Sequence, residues 1–272
     1  MKRSNRLVSL TNYFIENPED HRSLTYHAKQ YNVGKASISE DLDIIDTVFQ
    51  DEGLGYLHRA AGAGGGVRYV PEGSEKNGKQ FIKTLCEQLE DPSRILPGGY
   101  LYMSDLLGEP KTVREIGRVF ASKFIHRNID VVMTVATKGI PLAYAVASFL
   151  NVPVVIVRRD PKVTEGSSVS INYVSGSSRK IQTMVLPKRG LKEGAKVCII
   201  DDFMKAGGTI NGMISLLKEF NARVHGIGVL AEADDEEEDR VVEDYISLVR
   251  ISNVDAKRQE IQVLPGNYSI LN

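Results

Sequence analysis

Between Val197 and Ile210 the sequence runs VCIIDDFMKAGGTI, and few folds accommodate such a stretch. Val197, Cys198, Ile199 and Ile200 form an apolar, β-branched run that suits a fully buried strand, and Asp201 and Asp202 place two carboxylates at its C-terminal end. Phe203, Met204, Lys205 and Ala206 lead on to Gly207, Gly208 and Thr209, after which Ile210, Met213, Ile214 and Leu217 recur at helical spacing. The glycines therefore sit where a loop becomes a helix N-terminus, and unpaired backbone N–H groups together with the helix dipole favour a phosphate there. Adjacent carboxylates accept hydrogen bonds from a vicinal diol such as the 2′ and 3′ hydroxyls of a ribose. The glycine turn and the Thr209 hydroxyl then hold a 5′-phosphate, so the ligand described is a ribose phosphate. The stretch is neither a Walker A loop, since no Gly-Lys-Ser/Thr follows, nor a Gly-x-Gly-x-x-Gly dinucleotide turn.

Around this stretch the chain alternates between strand and helix: strand Val131 to Val135, helix Pro141 to Leu150, strand Val154 to Val157, a long polar stretch, the strand at Val197, helix Thr209 to Phe220, and strand Val224 to Leu230. Helices near Lys79 to Glu90 and Pro110 to His126 precede it. Such alternation predicts an α/β domain with a mostly parallel sheet, whose ligands gather at the C-terminal ends of the strands. Three further loops should meet the glycine turn there. Ala136-Thr137-Lys138-Gly139 offers a lysine and a glycine at a helix start, suited to a pyrophosphate. Arg158-Arg159-Asp160-Pro161-Lys162 is densely basic. Thr164 to Ser178 is long and polar, as a flap or hairpin would be. With 272 residues, 42% apolar and 25% charged, the chain has material for one large and one small ordinary globular domain. No run of 18 apolar residues occurs and the N-terminus lacks an apolar signal-peptide core, so a cytoplasmic protein without a membrane partner is expected. Cys86, on a predicted helix, and Cys198, in the buried strand, have no histidines at ligand spacing and read as reduced core residues, with no metal site implied.

The N-terminal third differs in pattern. Leu7, Leu10, Tyr13 and Phe14 define a helix stopped by Asn17-Pro18; Ser23 caps a second over Leu24 to Tyr31; and after the Asn32-Val33-Gly34 turn a third runs from Lys35 to about Phe49. Tyr56 to Arg59 and Val67 to Val70 read as short strands joined by the Ala/Gly loop from Ala60 to Gly66. Helix-turn-helix followed by a hairpin is the order of a winged-helix DNA-binding domain. Residues 1–74 hold eight Lys and Arg against ten Asp and Glu, so placement rather than net charge carries the expectation of DNA contact. Lys2, Arg3 and Arg6 flank the first helix, Lys35, Ser37 and Ser39 open the third, and Arg59 and Arg68 stand on the wing. The bland alternative is a winged helix used for dimerisation or protein contact. Pro71 to Gly78 is polar with Gly and Pro and reads as a linker, dividing the chain into 1–74 and 75–272. The acidic run Asp234 to Asp239 reads as a solvated helix start.

The strand, acid pair, Gly-Gly-Thr turn and helix together resemble the signature of the type I phosphoribosyltransferase fold, whose ligand is phosphoribosyl pyrophosphate (PRPP). Beyond that fold, nearly the whole chain looks like the purine-operon regulators of Gram-positive bacteria (PurR type), on the runs ASISEDL (Ala36 to Leu42), ILPGGYLYMSDLLG (Ile95 to Gly108), TVATKGIPLA (Thr134 to Ala143), VTEGSSVSINYVSGSSRK (Val163 to Lys180) and IDDFMKAGGTINGM ending at Met213. That resemblance implies a type I phosphoribosyltransferase-like domain joined to a winged helix, sensing PRPP, with or without Mg²⁺, rather than consuming it. It also implies PRPP contacts from Tyr102, Thr137, Lys138, Arg158, Lys162 and the loop Asp201, Asp202, Phe203, Met204, Lys205, Ala206, Gly207, Gly208 and Thr209. A homodimer on paired operator sites upstream of purine genes is implied as well.

The competing reading is a working purine phosphoribosyltransferase with an accessory winged helix. Enzymes of the fold often place a carboxylate in the phosphate loop to assist proton transfer, whereas the fifth loop position here is Lys205, a poor general base at neutral pH. Together with the appended domain, this favours a regulator, repressor or activator, over an enzyme.

Overall fold

The computed structural model describes residues 1–62, 64–97, 100–160, 166–174, 181–234, 240–255 and 258–269. Its first part contains helices α1 (Arg3–Glu16), α2 (Leu24–Tyr31) and α3 (Lys35–Asp51) and the antiparallel hairpin β1 (Tyr56–Ala60) and β2 (Gly66–Val70). The Ser23 hydroxyl caps α2 by accepting the Tyr26 N–H at 3.1 Å, and Asn32 ends that helix in the left-handed conformation (φ 51°). Leu10, Phe14, Ile38, Leu42, Ile45 and Phe49 close a core against Leu57, Val67 and Tyr69, as their spacing predicts.

The linker proves shorter than its composition suggests. Ser74 caps α4 (Glu75–Leu89), so of the expected linker only 71–74 lie outside helix. Gly78, which read as a breaker, is a buried helical position where a Cβ would stand 2.8 Å from the Tyr268 hydroxyl. Short strands β3 (Ile95–Leu96) and β4 (Tyr100–Leu101), helix α5 (Ser104–Gly108) and helix α6 (Pro110–Phe124) follow.

Strands β5 (Val131–Val135), β6 (Val154–Val157), β7 (Ser168–Val174), β8 (Ile181–Pro187), β9 (Lys196–Met204), β10 (Arg223–Ala233), β11 (Ile246–Asp255) and β12 (Glu260–Pro265) alternate with α7 (Gly139–Leu150) and α8 (Gly208–Lys218). Six of them form one sheet in the order β12-β11-β10-β9-β5-β6, parallel except for β12. Along β5 and β9 the side chains alternate by face: Val132, Cys198 and Ile200 pack with α4, α6 and α7, whereas Val131, Met133, Val197 and Ile199 pack with α8 and β7. The chain leaves β5 for β6 on one side and returns to β9 on the other, so the strand order reverses between β5 and β9. A crevice opens at such a reversal, at the C-terminal strand ends.

The expected flap contributes β7, which pairs antiparallel with β8 beyond the flap's C-terminal bound; residues 175–180 between them lie outside the described residues. Of the acidic run, only Asp234 is described; it follows β10 and pairs with Arg250 at 3.6 Å, and the rest of the expected helix start lies outside the described residues. Strands β8, β11 and β12 were not expected; the alternation in Ile246–Asp255 is the signal that would have found β11.

Candidate functional site

Parallel strands place their C-terminal ends on one edge, so β5, β6 and β9 bring Thr137, Lys138, Arg158 and the loop Asp201 to Thr209 together beside the reversal point. Thr137 and Lys138 are exposed and immediately precede α7, and the Ala136–Thr137 peptide is cis. Gly139 is required by closeness of packing: a Cβ there would run into the Thr134 hydroxyl and stand 3.2 Å from Asp201 Oδ1. Arg158 is half-buried, and its backbone exchanges hydrogen bonds with Val185 (3.1 and 2.7 Å), which fixes the end of β6 to the β7–β8 hairpin. Lys162 lies outside the described residues.

The acid pair is arranged differently from the side-by-side clamp expected. β9 continues through Asp201, Asp202 and Phe203 to Met204, so successive side chains alternate in face and the two carboxylates occupy unequal environments. Asp201 is 3% exposed, and its Oδ1 accepts the Asp202 N–H at 3.0 Å. Burial, reinforced by the Asp202 charge, pushes the Asp201 carboxyl well above the usual carboxylate range. Asp202 is half-buried; burial raises it too, against the opposing pull of the Asp201 hydrogen bond and the Lys138 cation. After Lys205 and Ala206, Gly207 takes φ 84° and α8 begins at Gly208, so the N–H groups of the Gly208-Thr209 turn are those that a helix leaves without an internal partner.

Tyr102, 44% exposed, lies off the sheet just after β4, where its N–H donates to Arg94 O at 2.8 Å. The strand ends do not gather it with the other predicted ligand residues. Sequence reasoning missed Thr134, whose buried hydroxyl faces Gly139, and Glu232 with Arg240, which lie beside the loop from Asp201 to Thr209; each sits in or beside a strand with no motif to mark it.

In the N-terminal domain Lys2, Arg3, Lys35 and Arg59 are exposed, and Ser37 and Ser39 are partly so, at the start of α3. Arg6 departs from the exposed row expected around the first helix: it is only 6% exposed and its guanidinium is bonded to Asp41, which has no exposed surface, so it is held in a core ion pair. Arg3 also reaches Asp41, at 3.0 Å. On the wing, Arg59 pairs with Asp43 at 2.8 Å and Arg68 with Glu19 at 3.4 Å.

Residues 2–71 match the family model described as bacterial purine repressor, N-terminal, and residues 103–264 match the phosphoribosyl transferase domain. The chain is 57% identical over 267 residues to the purine biosynthesis transcriptional repressor PurR of Bacillus subtilis (strain 168), covering 98% of this chain and 93% of that one. It is 46% identical over 267 residues to the purine biosynthesis transcriptional activator PurR of Lactococcus lactis subsp. lactis (strain IL1403), covering 98% of each. Among solved structures, adenine phosphoribosyltransferase from Thermoanaerobacter pseudethanolicus superposes with a TM-score of 0.53 at 21% identity, over 62% of this chain and 99% of that one, a likeness of fold. Fold and site thus define a protein with the phosphoribosyltransferase architecture behind an N-terminal DNA-binding domain. Within that class, the chain belongs to the PurR family of purine biosynthesis transcriptional regulators.

Proposed function

We propose that the chain is a PRPP-responsive regulator that binds operator DNA of purine biosynthesis genes as a homodimer, through residues 1–74, and senses PRPP through residues 75–272. The observation that carries the reading is the junction of a phosphate loop and a basic lysine-glycine loop at the strand reversal, in one chain with a helix-turn-helix and wing. In this reading the Gly207 to Thr209 turn holds the 5′-phosphate, Thr137 and Lys138 hold the pyrophosphate, and Asp202 accepts from the ribose diol, with Arg158 a further contact beside them and Lys162 and Tyr102 carried over as contacts from the family resemblance alone. A carboxylate is a hard oxygen donor, so Asp202 suits a Mg²⁺ ion that travels with the pyrophosphate. Asp201 acts from beneath, its Oδ1 holding the Asp202 N–H.

DNA contact rests on Lys2, Arg3, Lys35, Ser37, Ser39, Arg59 and Arg68. The N-terminal residues of α3 enter the major groove, and two copies related by a two-fold axis read paired sites. Relatives named as repressor and as activator both align with 98% of this chain, so the reading takes in either sign of regulation.

The test is a footprint on the promoter of a purine biosynthesis operon with and without PRPP, alongside a pyrophosphate-release assay with adenine, guanine, hypoxanthine and xanthine. The reading expects a footprint that changes with PRPP and no release above the uncatalysed background. A footprint indifferent to PRPP removes the sensor, and clear turnover of any base makes the chain an enzyme with an accessory DNA-binding domain.

A further inference from the structure

A buried carboxylate stands behind the phosphate loop with no part in the ligand site just described. Glu232, in β10 and in register with Met204 of β9, is 3% exposed. Such a carboxylate is tolerated inside a protein only when it is paired and hydrogen-bonded. Glu232 accepts from Arg240 Nη1 at 2.7 Å, from Ser247 Oγ at 2.8 Å and from the Tyr245 hydroxyl. Arg240 also donates to Ala233 O at 3.1 Å and lies 5.7 Å from the centre of the Tyr245 ring. Asn267 locks the far side, accepting the Ser247 N–H at 2.7 Å and donating to Tyr245 O at 2.8 Å.

What this network holds is the segment that touches the loop. Directly after Arg240, the Val241 N–H donates to Ala206 O at 3.1 Å, and Val242 lies so close that a Cβ on Gly207 would stand 3.1 Å from it. The Ala206–Gly207 peptide is planar and trans, so its carbonyl and its N–H point in opposite directions. Fixing the Ala206 carbonyl on Val241 therefore aims the Gly207 N–H away from that segment. The positive φ of Gly207 then turns the chain into α8.

We propose that Glu232 and Arg240 are positioning residues of the phosphate cradle: through Val241 they hold the Ala206 carbonyl and pre-set the Gly207 N–H toward the anion. The inference rests on the reading of this loop as a ribose-phosphate site, and it assigns the preorganisation of that site to residues that never touch the ligand. Preorganised donors bind an anion without the cost of reorienting a peptide.

The test uses the full chain with PRPP and ribose 5-phosphate as probes, read by calorimetry, together with hydrogen exchange of the Gly207 and Gly208 amides in the ligand-free protein. Arg240→Ala should weaken both ligands by roughly tenfold and speed exchange at Gly207, and it should also lower the melting temperature, because it leaves the Glu232 carboxylate without its cation. Arg240→Lys should recover part of the affinity. Val241→Pro deletes the hydrogen bond to Ala206 and leaves Glu232 untouched; it should reproduce the loss, and it decides the matter if Arg240→Ala proves globally unstable. Wild-type affinity with unchanged Gly207 exchange in Arg240→Ala and Val241→Pro overturns the proposal. A wild-type protein that binds neither ligand overturns the ribose-phosphate reading instead, and the ligand-free exchange arm still decides whether Arg240 holds the loop.

Discussion

Asp41 has no exposed surface and Arg6 almost none, and their pairing shows how one basic residue beside an exposed row can serve a different purpose. Breaking a buried pair leaves an uncompensated charge, so Arg6→Ala should cost the N-terminal domain about 3–5 kcal/mol. Lys35→Ala, at an exposed helix start, should change stability by no more than about 0.5 kcal/mol while weakening operator binding and flattening its salt dependence. Chemical denaturation and a salt titration of DNA affinity separate the two. His27 is a second buried residue with a readable consequence. Neither ring nitrogen has a hydrogen-bond partner among the described residues, Tyr13, Phe14 and Tyr26 surround the ring within 5.5 Å, and burial pushes the imidazole down to about 4. An unfolded histidine titrates near 6.5, so between that value and about 4 the unfolded chain binds the extra proton. The His27 contribution is thus complete above pH ~6.5 and fades as pH falls toward ~4, by roughly 3 kcal/mol in all. His27→Phe should flatten this slope, measured by exchange protection of the α1–α3 amides against pH.

At the scale of elements, the reach of β9 through Met204 matters most. Because the acids belong to a strand, their side chains alternate in face, and Asp201 is buried while Asp202 is half-buried. The β7–β8 hairpin is fixed at two places: its Val185 backbone pairs with Arg158, and the Tyr173 ring and Met184 sulfur lie over Gly212 of α8, where a Cβ would stand 2.9 Å from Tyr173 Cγ. The hairpin thereby joins the end of β6 to the helix that begins the phosphate cradle. Gly212→Val should overpack this contact at a cost of about 1–3 kcal/mol. Faster proteolysis within the hairpin than within α1–α3 would locate the effect, and wild-type stability would show that the hairpin does not bear on α8.

Across the whole molecule, α6 lies between the two functions. It packs on α7, which starts at the lysine-glycine loop, so closely that a Cβ on Gly117 would stand 2.7 Å from the Ala145 carbonyl carbon. At its other side the Ser122 hydroxyl accepts the Gly73 N–H at 2.9 Å and His126 meets Glu72 at 3.1 Å, and a cleft of about 200 Å³ remains between the turn after α3 (Glu52, Gly53 and Leu54) and helices α4 and α6. A ligand shifts DNA affinity only by the difference in its binding to the two states, typically about 1–3 kcal/mol. Replacing Asp201 and Asp202 together with Ala should abolish the response of DNA affinity to PRPP and leave ligand-free DNA binding intact. A folded double variant that responds at the wild-type PRPP concentration would remove the acid pair from the sensing mechanism.

Local chemistry by itself determined those elements whose signal lies within a few neighbouring residues. The period of the apolar residues drew α1, α3, β5 and β9, Ser23 announced the cap of α2, and the coincidence of acid pair, glycine turn and helix marked the loop from Asp201 to Thr209, because each of these signals is carried by neighbours within a few residues. Tertiary structure decided whatever depends on what lies opposite. Gly78 and Asn77 read as linker until Tyr268 and the Ser74 cap made them helix, Arg6 read as surface until Asp41 buried it, and Asp201 and Asp202 read as equals until the sheet gave them different faces. Glu232 and Arg240 carried no signal at all, since the partners of a strand carboxylate are set only when β10 lies against β9. Burial and pairing are properties of an environment assembled from distant parts of the chain, and the sequence states them only through the fold.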